Sequence, residues 1–334
     1  MKSFIKYICF AACLFTASSC SNFLEEDNKS NINADKYFGE SVGYESLVNA
    51  CYSSLRTIWK NEPWLFCLGV DTYTRGESEL ISGSYGNRDV YSSELNEYGS
   101  LDSENGYVSD FYSNVYDAVQ RCNTALNKAT LVSGMSGATL QTRIAEVKFL
   151  RAYYYYLLVE QFGDVAIVTD EITSAVTHFE RKPENEVYKF IISELNDAIA
   201  DLPDESGEYG RVTSGAAKHL LALVYLTRGY KSYAESSDFS KAASLADEVI
   251  NSGQYQLQST FSKVFDYNNM QNSEIIFSVQ YDPSSLGGMY NGNGQNSLFG
   301  WEMWTKVNGG FSNGNTTYGW KKPQFTPTQF LYSV

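Results

Sequence analysis

Residues 138–162 read ATLQTRIAEVKFLRAYYYYLLVEQF and run directly into Gly163-Asp164. This is a helix-length segment ended by a glycine, the residue best able to leave a helix with positive φ. Its four consecutive tyrosines, Tyr153 to Tyr156, must point all round such a helix together with Phe149. Most of them are therefore expected to pack, with their hydroxyls at the rim.

Working outward, helical periodicity dominates the middle of the chain. Val42, Leu47, Tyr52, Leu55 and Ile58–Trp59 define a helix over 41–60. Val108, Phe111, Val115, Val119, Cys122 and Leu126 define another over 107–129. A third begins behind Pro183, carries an apolar stripe from Val187 to Leu202 and ends at Pro203. Leu221–Gly229 followed by Asp238–Ala242 is similar to a tetratricopeptide repeat split by an insertion at 230–237. Ala222 and Ala242 are small where two antiparallel helices approach, Tyr225 fills the groove and Gly229 supports the turn. The expectation is a mainly α, TPR-like scaffold of helical hairpins.

Strand signals are few. Val165–Thr169 reads as a short strand and Glu274–Tyr281 (EIIFSVQY) as a buried one. Two irregular regions, 61–106 and 284–320, carry Gly, Asn and Ser with interspersed aromatics. Irregular segments on a rigid scaffold are where binding sites tend to be built.

The composition narrows the function. In 334 residues, 39 Asp+Glu stand against 25 Lys+Arg, a formal charge of −14. A pI near 4.7 excludes a surface that neutralises nucleic-acid phosphates. Lys2 and Lys6, the apolar stretch Tyr7–Phe15 and Thr16-Ala17-Ser18-Ser19-Cys20 resemble a bacterial lipoprotein signal, with residues 1–19 removed and Cys20 lipidated. Loss of Lys2 and Lys6 takes the charge to −16. Residues 20–40 then form an acidic tether. Cys51, Cys67 and Cys122 remain, enough for one disulfide at most and for no zinc site.

No catalytic motif survives inspection. Gly310-Phe311-Ser312-Asn313-Gly314 matches G-x-S-x-G, but it lacks a strand before it, a helix after it and a later histidine. His178 falls in a loop and His219 in a helix. The carboxylates fall mainly at helix ends and in polar loops, as on solvated faces. Trp64, Tyr290, Trp301, Trp304 and Trp320 differ from the helix tyrosines because they sit among Asn, Gly and Asp. That mixture suits carbohydrate: flat rings stack on apolar sugar faces while amides and carboxylates bond the hydroxyls.

Several stretches together resemble the SusD/RagB family of outer-membrane nutrient-binding lipoproteins. They are Ala145–Tyr154 continuing to Phe162-Gly163-Asp164-Val165, Gly210-Arg211-Val212-Thr213 with Ala216-Ala217, Gly253–Leu257, Glu274–Phe277, and Pro327-Thr328 with Leu331-Tyr332. The resemblance implies a SusD-like domain over 41–334 with ligand loops at about 61–106 and 284–320. It implies no catalysis and no cofactor. It also implies an outer-membrane, surface-exposed location and a SusC-like TonB-dependent transporter as partner, to which captured glycan is delivered. The matching ligand positions are Trp64, Asp71 and Arg75 in the first loop and Tyr290, Trp301, Trp304 and Trp320 in the second. Family members continue past the Pro-Thr-x-x-Leu-Tyr signature, so a missing C-terminal portion is expected after Val334. Two other readings are a surface glycoside hydrolase, in which any suitably spaced carboxylate pair would serve, and a helical-repeat adhesin or peptide-binding scaffold.

Overall fold

The structure is a computed structural model and describes residues 33–59, 64–75, 88–280, 325–331 and 333. The helices are α1 (Ala34–Phe38), α2 (Ser41–Ile58), α3 (Trp64–Cys67), α4 (Arg88–Glu97), α5 (Gly106–Lys128), α6 (Gly137–Phe162), α7 (Glu184–Asp201), α8 (Ser214–Arg228), α9 (Asp238–Asn251) and α10 (Phe261–Val264). The long ones stack in a chain of neighbours: α2 on α5, α5 on α6, α6 on α7, α7 on α8 and α8 on α9. This is the expected mainly α, helical-hairpin architecture.

Local chemistry sets the boundaries. The Asn105 side chain accepts from the Tyr107 and Val108 N–H groups at the start of α5. Ser136 accepts from Thr139 N–H at 3.1 Å to open α6, and Thr213 accepts from Ala216 N–H at 3.3 Å to open α8. Gly163 closes α6 at φ +66°, donating its N–H to Val159 O at 2.9 Å. Pro183 stands just outside α7 as its cap, and Glu184 and Glu186 meet the positive end of the helix dipole in the first turn.

The tyrosine run is buried more deeply than expected. Tyr154 and Tyr155 are buried and Tyr153 and Tyr156 half-buried. Their hydroxyls serve as bolts between elements and do not sit at a rim. Tyr154 Oη donates to Cys51 O at 2.7 Å, Tyr155 Oη to Val168 O at 3.0 Å, and Tyr156 Oη shares a hydrogen with Thr227 Oγ1 at 3.0 Å. Cys51 and Cys122 are buried free thiols on α2 and α5. Burial, reinforced by the neighbouring Cys51, pushes the Cys122 thiol well above its ordinary pKa.

The split repeat forms an antiparallel hairpin. Arg228 pairs with Asp238 at its closed end, Lys241 lies 5.1 Å from the Tyr225 ring centre, and Lys218 meets Glu248 at 2.9 Å toward the open end. Gly229 lies under the Phe239 ring; an added Cβ would come within 2.6 Å of it.

Strands are sparse among the described residues. β2 (Val165–Ala166) pairs antiparallel with β3 (Arg181–Lys182). The strand expected over Val165–Thr169 stops after two residues, because Tyr155 Oη takes both the N–H and the carbonyl of Val168. The strand expected over Glu274–Tyr281 is not formed at 274–280, and Tyr281 lies outside the described residues. The segment instead covers the helices: Ile276, Phe277 and Val279 pack on the core, with Phe277 edge-on to Phe149 at 5.7 Å. Apolar residues without a neighbouring strand edge have no ladder to join.

Candidate functional site

Two places gather polar and aromatic groups outside the packed core. The first is a junction between the irregular regions. β1 (Tyr73–Arg75) pairs antiparallel with β4 (Phe325–Pro327) in the register Tyr73↔Pro327, Thr74↔Thr326, Arg75↔Phe325. Thr328 extends the contact: its N–H donates to Thr72 O at 3.0 Å and its hydroxyl donates to Asp71 O. Thr74 Oγ1 donates to Asn96 Oδ1 at 3.1 Å and so ties β1 to α4. Segments more than 250 residues apart in sequence are thereby joined, the Thr328–Asp71 separation being 257.

The sequence-derived ligand positions fare differently here. Asp71 is exposed with its backbone carbonyl engaged, so its carboxylate faces solvent beside the junction. Arg75 closes β1 opposite Phe325. Trp64 is a correction. It is buried with Leu68 and Leu95 and stacks on Tyr107 with centroids 5.0 Å apart and planes at 20°. Tyr91 meets Tyr107 edge-on at 5.9 Å behind it. A buried indole already stacked on a neighbour has no face for a sugar; it anchors the loop that carries Asp71. Gly69, at φ +68°, makes the turn between them, and Tyr98 Oη donates to its carbonyl at 3.2 Å. Tyr290, Trp301, Trp304, Trp320 and Cys20 lie outside the described residues.

The second place was not foreseen. Arg143 and Arg211 converge from α6 and the turn before α8 onto Glu45 of α2, Glu146 of α6 and Glu208. Arg143 reaches Glu45 at 2.8 Å and Glu146 at 2.7 Å; Arg211 reaches Glu146 at 3.0 Å and Glu208 at 2.9 Å. Glu146 is only 1% exposed. Its Oε2 also accepts from Tyr52 Oη at 2.9 Å, and Tyr52 Oη in turn accepts from Val212 N–H at 3.1 Å. Burial, then the nearby Glu146 carboxylate, push the Tyr52 hydroxyl well above its ordinary pKa. Hydrogen bonding and charge from Arg211 hold Glu208 below the usual carboxylate value. Burial alone would lower Arg211, but Glu146 and Glu208 outweigh it and its pKa is raised. The cluster is a structural brace in which both guanidinium groups are paired with carboxylates.

At its mouth lie two adjoining cavities of about 250 and 190 Å³ that share Glu208, Tyr209, Gly210, Arg211, Phe277 and Ser278. The available signal was Gly210-Arg211-Val212-Thr213 just ahead of a helix: an arginine beside an N-cap, on a glycine at φ +92°. Nothing in one sequence says which carboxylates it would meet. Among the described residues no group of three or more His, Cys, Asp or Glu is placed to hold a metal ion. None of their helices is long and apolar enough to cross a membrane.

Residues 22–226 match the SusD-like family described as starch-binding and associating with the outer membrane. The chain belongs to the SusD-like family. A SusD-like protein (P2) of Formosa agariphila is 30% identical over 282 residues, which is 82% of this chain and 52% of that protein. The starch-binding protein SusD of Bacteroides thetaiotaomicron is 32% identical over 154 residues, 45% of this chain and 27% of that protein. This SusD-like chain thus spans about half the length of the first of these relatives, or less. A crystal structure of a SusD superfamily protein from Parabacteroides distasonis superposes with a TM-score of 0.69 at 24% identity, covering 90% of this chain and 59% of that one. A laminarin-binding SusD-like protein superposes with a TM-score of 0.66 at 24% identity, over 78% and 57% of the two chains. These superpositions confirm the SusD-like fold.

Proposed function

We propose that this SusD-like protein is a glycan-binding lipoprotein of the cell surface that captures oligo- or polysaccharide and passes it to a SusC-like TonB-dependent transporter. It acts by binding and does no chemistry on its ligand. The observation that carries the reading is the β1–β4 junction. It sets the loop bearing Asp71 and Arg75 against the chain that leads out of the aromatic-rich stretch containing Tyr290, Trp301, Trp304 and Trp320. Carboxylate, guanidinium and indoles are the groups a sugar chain uses, hydrogen bonds to its hydroxyls and flat contact with its apolar faces. Names of the relatives point the same way, one being a starch-binding protein and one a laminarin-binding protein.

Lipidation at Cys20 supplies the membrane tether in this reading. Affinity electrophoresis and calorimetry against a broad polysaccharide panel test the binding, with Trp301→Ala and Trp320→Ala expected to weaken it. Pull-down of a TonB-dependent barrel from the native outer membrane tests the partnership. Incorporation of labelled fatty acid, lost in Cys20→Ala, tests the anchor. Failure to bind any glycan, together with no barrel in the pull-down, would overturn the proposal.

A further inference from the structure

Arg56 lies on α2 at the edge of the smaller of the two cavities beside the brace. Arg211, which lines the same cavity, is paired with Glu45, Glu146 and Glu208, and Arg56 has no such pairing among the described residues. Among the described residues no carboxylate lies within ion-pair range of it. Its Nη1 donates to the Gln280 carbonyl at 3.3 Å, and its buried Nε has no hydrogen-bond partner. A guanidinium presents five donors in a planar fork suited to a carboxylate, so one with a single neutral partner is an incomplete site.

The surroundings specify what would complete it. The cavity of about 190 Å³ is walled by the Asn49 and Gln280 amides and by Tyr209 and Phe277. Glu208 lines both cavities, and the adjoining one of about 250 Å³ adds acids at Asp204 and Glu205. Together the two fall within the size range of small-molecule sites. One end offers a cation with no carboxylate partner among the described residues, together with amides; the other adds Asp204 and Glu205 as acceptors, and Tyr209 and Phe277 line both. A hydroxylated ring carrying a carboxylate matches this order: carboxylate on Arg56, apolar ring face on Tyr209 or Phe277, hydroxyls toward the exposed Glu205.

We infer that this groove is a second subsite, selective for acidic sugar residues of the uronic-acid type. It is separate from the β1–β4 junction and adds to the proposed glycan-binding role. General electrostatics work against the preference, because the chain carries a formal charge of −14. A preference for an acidic glycan therefore has to arise locally.

The test is calorimetry at fixed ionic strength with tetragalacturonic acid and with the same tetramer after its carboxyls are reduced to alcohols. The native chain is expected to bind the acidic form at least tenfold more tightly. Arg56→Met should abolish that preference and Arg56→Lys should keep part of it. On the unaltered chain, the Arg56 Nε–H resonance should shift as galacturonate is added, a readout that does not depend on a variant folding. Equal or weaker binding of the acidic tetramer, a preference that survives Arg56→Met, or an unmoved Arg56 resonance would each overturn the subsite. Tighter binding of a peptide through its C-terminal carboxylate than of any acidic sugar would also overturn it. Binding of neutral glycan with no response at Arg56 overturns only this inference; loss of all glycan binding overturns the broader function with it.

Discussion

In the brace, Glu146 is 1% exposed and both its oxygens are taken, by Arg143, Arg211 and Tyr52. At the β1–β4 junction, Asp71 is exposed and, among the described residues, only its backbone is held. The same contrast separates α6, bolted to its neighbours through Tyr154, Tyr155 and Arg151, from the short ladder that joins two distant parts of the chain. Arg151 is itself gripped by Glu194 at 2.7 Å and by Asn123 Oδ1 at 2.9 Å. Polar groups that complete each other inside the scaffold fix its shape and have nothing left for a ligand. A polar group such as the Asp71 carboxylate, without a partner among the described residues, contributes little to stability and is open to solvent.

The largest expected effect comes from breaking the first side of that contrast. Glu146→Ala leaves two guanidinium groups and the Tyr52 hydroxyl short of an acceptor in the interior. Removing one partner of a buried ionic cluster costs about 3–5 kcal/mol, a fall in melting temperature on the order of 10 °C for a domain of this size. Calorimetric melting checks it; a change of a degree or two would mean that the cluster is not a brace.

Acid should find the scaffold's weak point at Asp238, which is fully buried. Burial pushes its carboxyl up, but hydrogen bonds from Arg228 and from Glu235 N–H outweigh that and hold it below the usual value. With the folded value below the unfolded one, ionisation favours folding above the unfolded pKa of about 3.9. That contribution is lost as pH falls through the folded value. Stability measured in urea should therefore drop below about pH 4, and Asp238→Asn should be less stable at pH 7 with a flatter acid limb. An unchanged acid limb in the variant would place the loss elsewhere.

The junction should respond more weakly. Thr328→Val removes the hydroxyl bond to Asp71 O, a loss of about 1 kcal/mol. It should speed amide exchange at Thr328 and leave α5 and α6 protected; accelerated exchange throughout would show that ladder and scaffold are one cooperative unit. The smallest structural effect belongs to Asp71→Ala. Melting should be unchanged while glycan affinity falls several-fold, whereas a matching loss of stability would move Asp71 from the proposed ligand face to the scaffold.

The scaffold was largely legible because helix signals are local. The stripe of α7, Gly163, and the small residues of the α8–α9 hairpin all act within a few turns of where they stand. Trp64 misled because an aromatic in a polar stretch reads the same whether its ring points out or, as here, onto Tyr107. Glu274–Val279 misled because an apolar run specifies burial and not a strand partner. Carboxylates such as Glu146, Glu194 and Asp238 read as solvated faces, yet each is buried on an arginine from a different element, Glu146 reaching Arg211 across 65 residues. Such pairings are properties of the assembled fold. The groove at Arg56 stayed hidden for the same reason, since Arg56 and Gln280 are 224 residues apart.

The two buried thiols give the interior a clock. Cys51 and Cys122 lie where α2 and α5 meet beneath the Tyr154 hydroxyl, and thiol reagents act on the exposed thiolate. An alkylating agent added to the native protein must wait for that seam to part, so the rate at which these two positions are modified times the opening of the scaffold directly. The same reaction in the presence of a glycan would show whether occupancy of the proposed loop site is felt in the core.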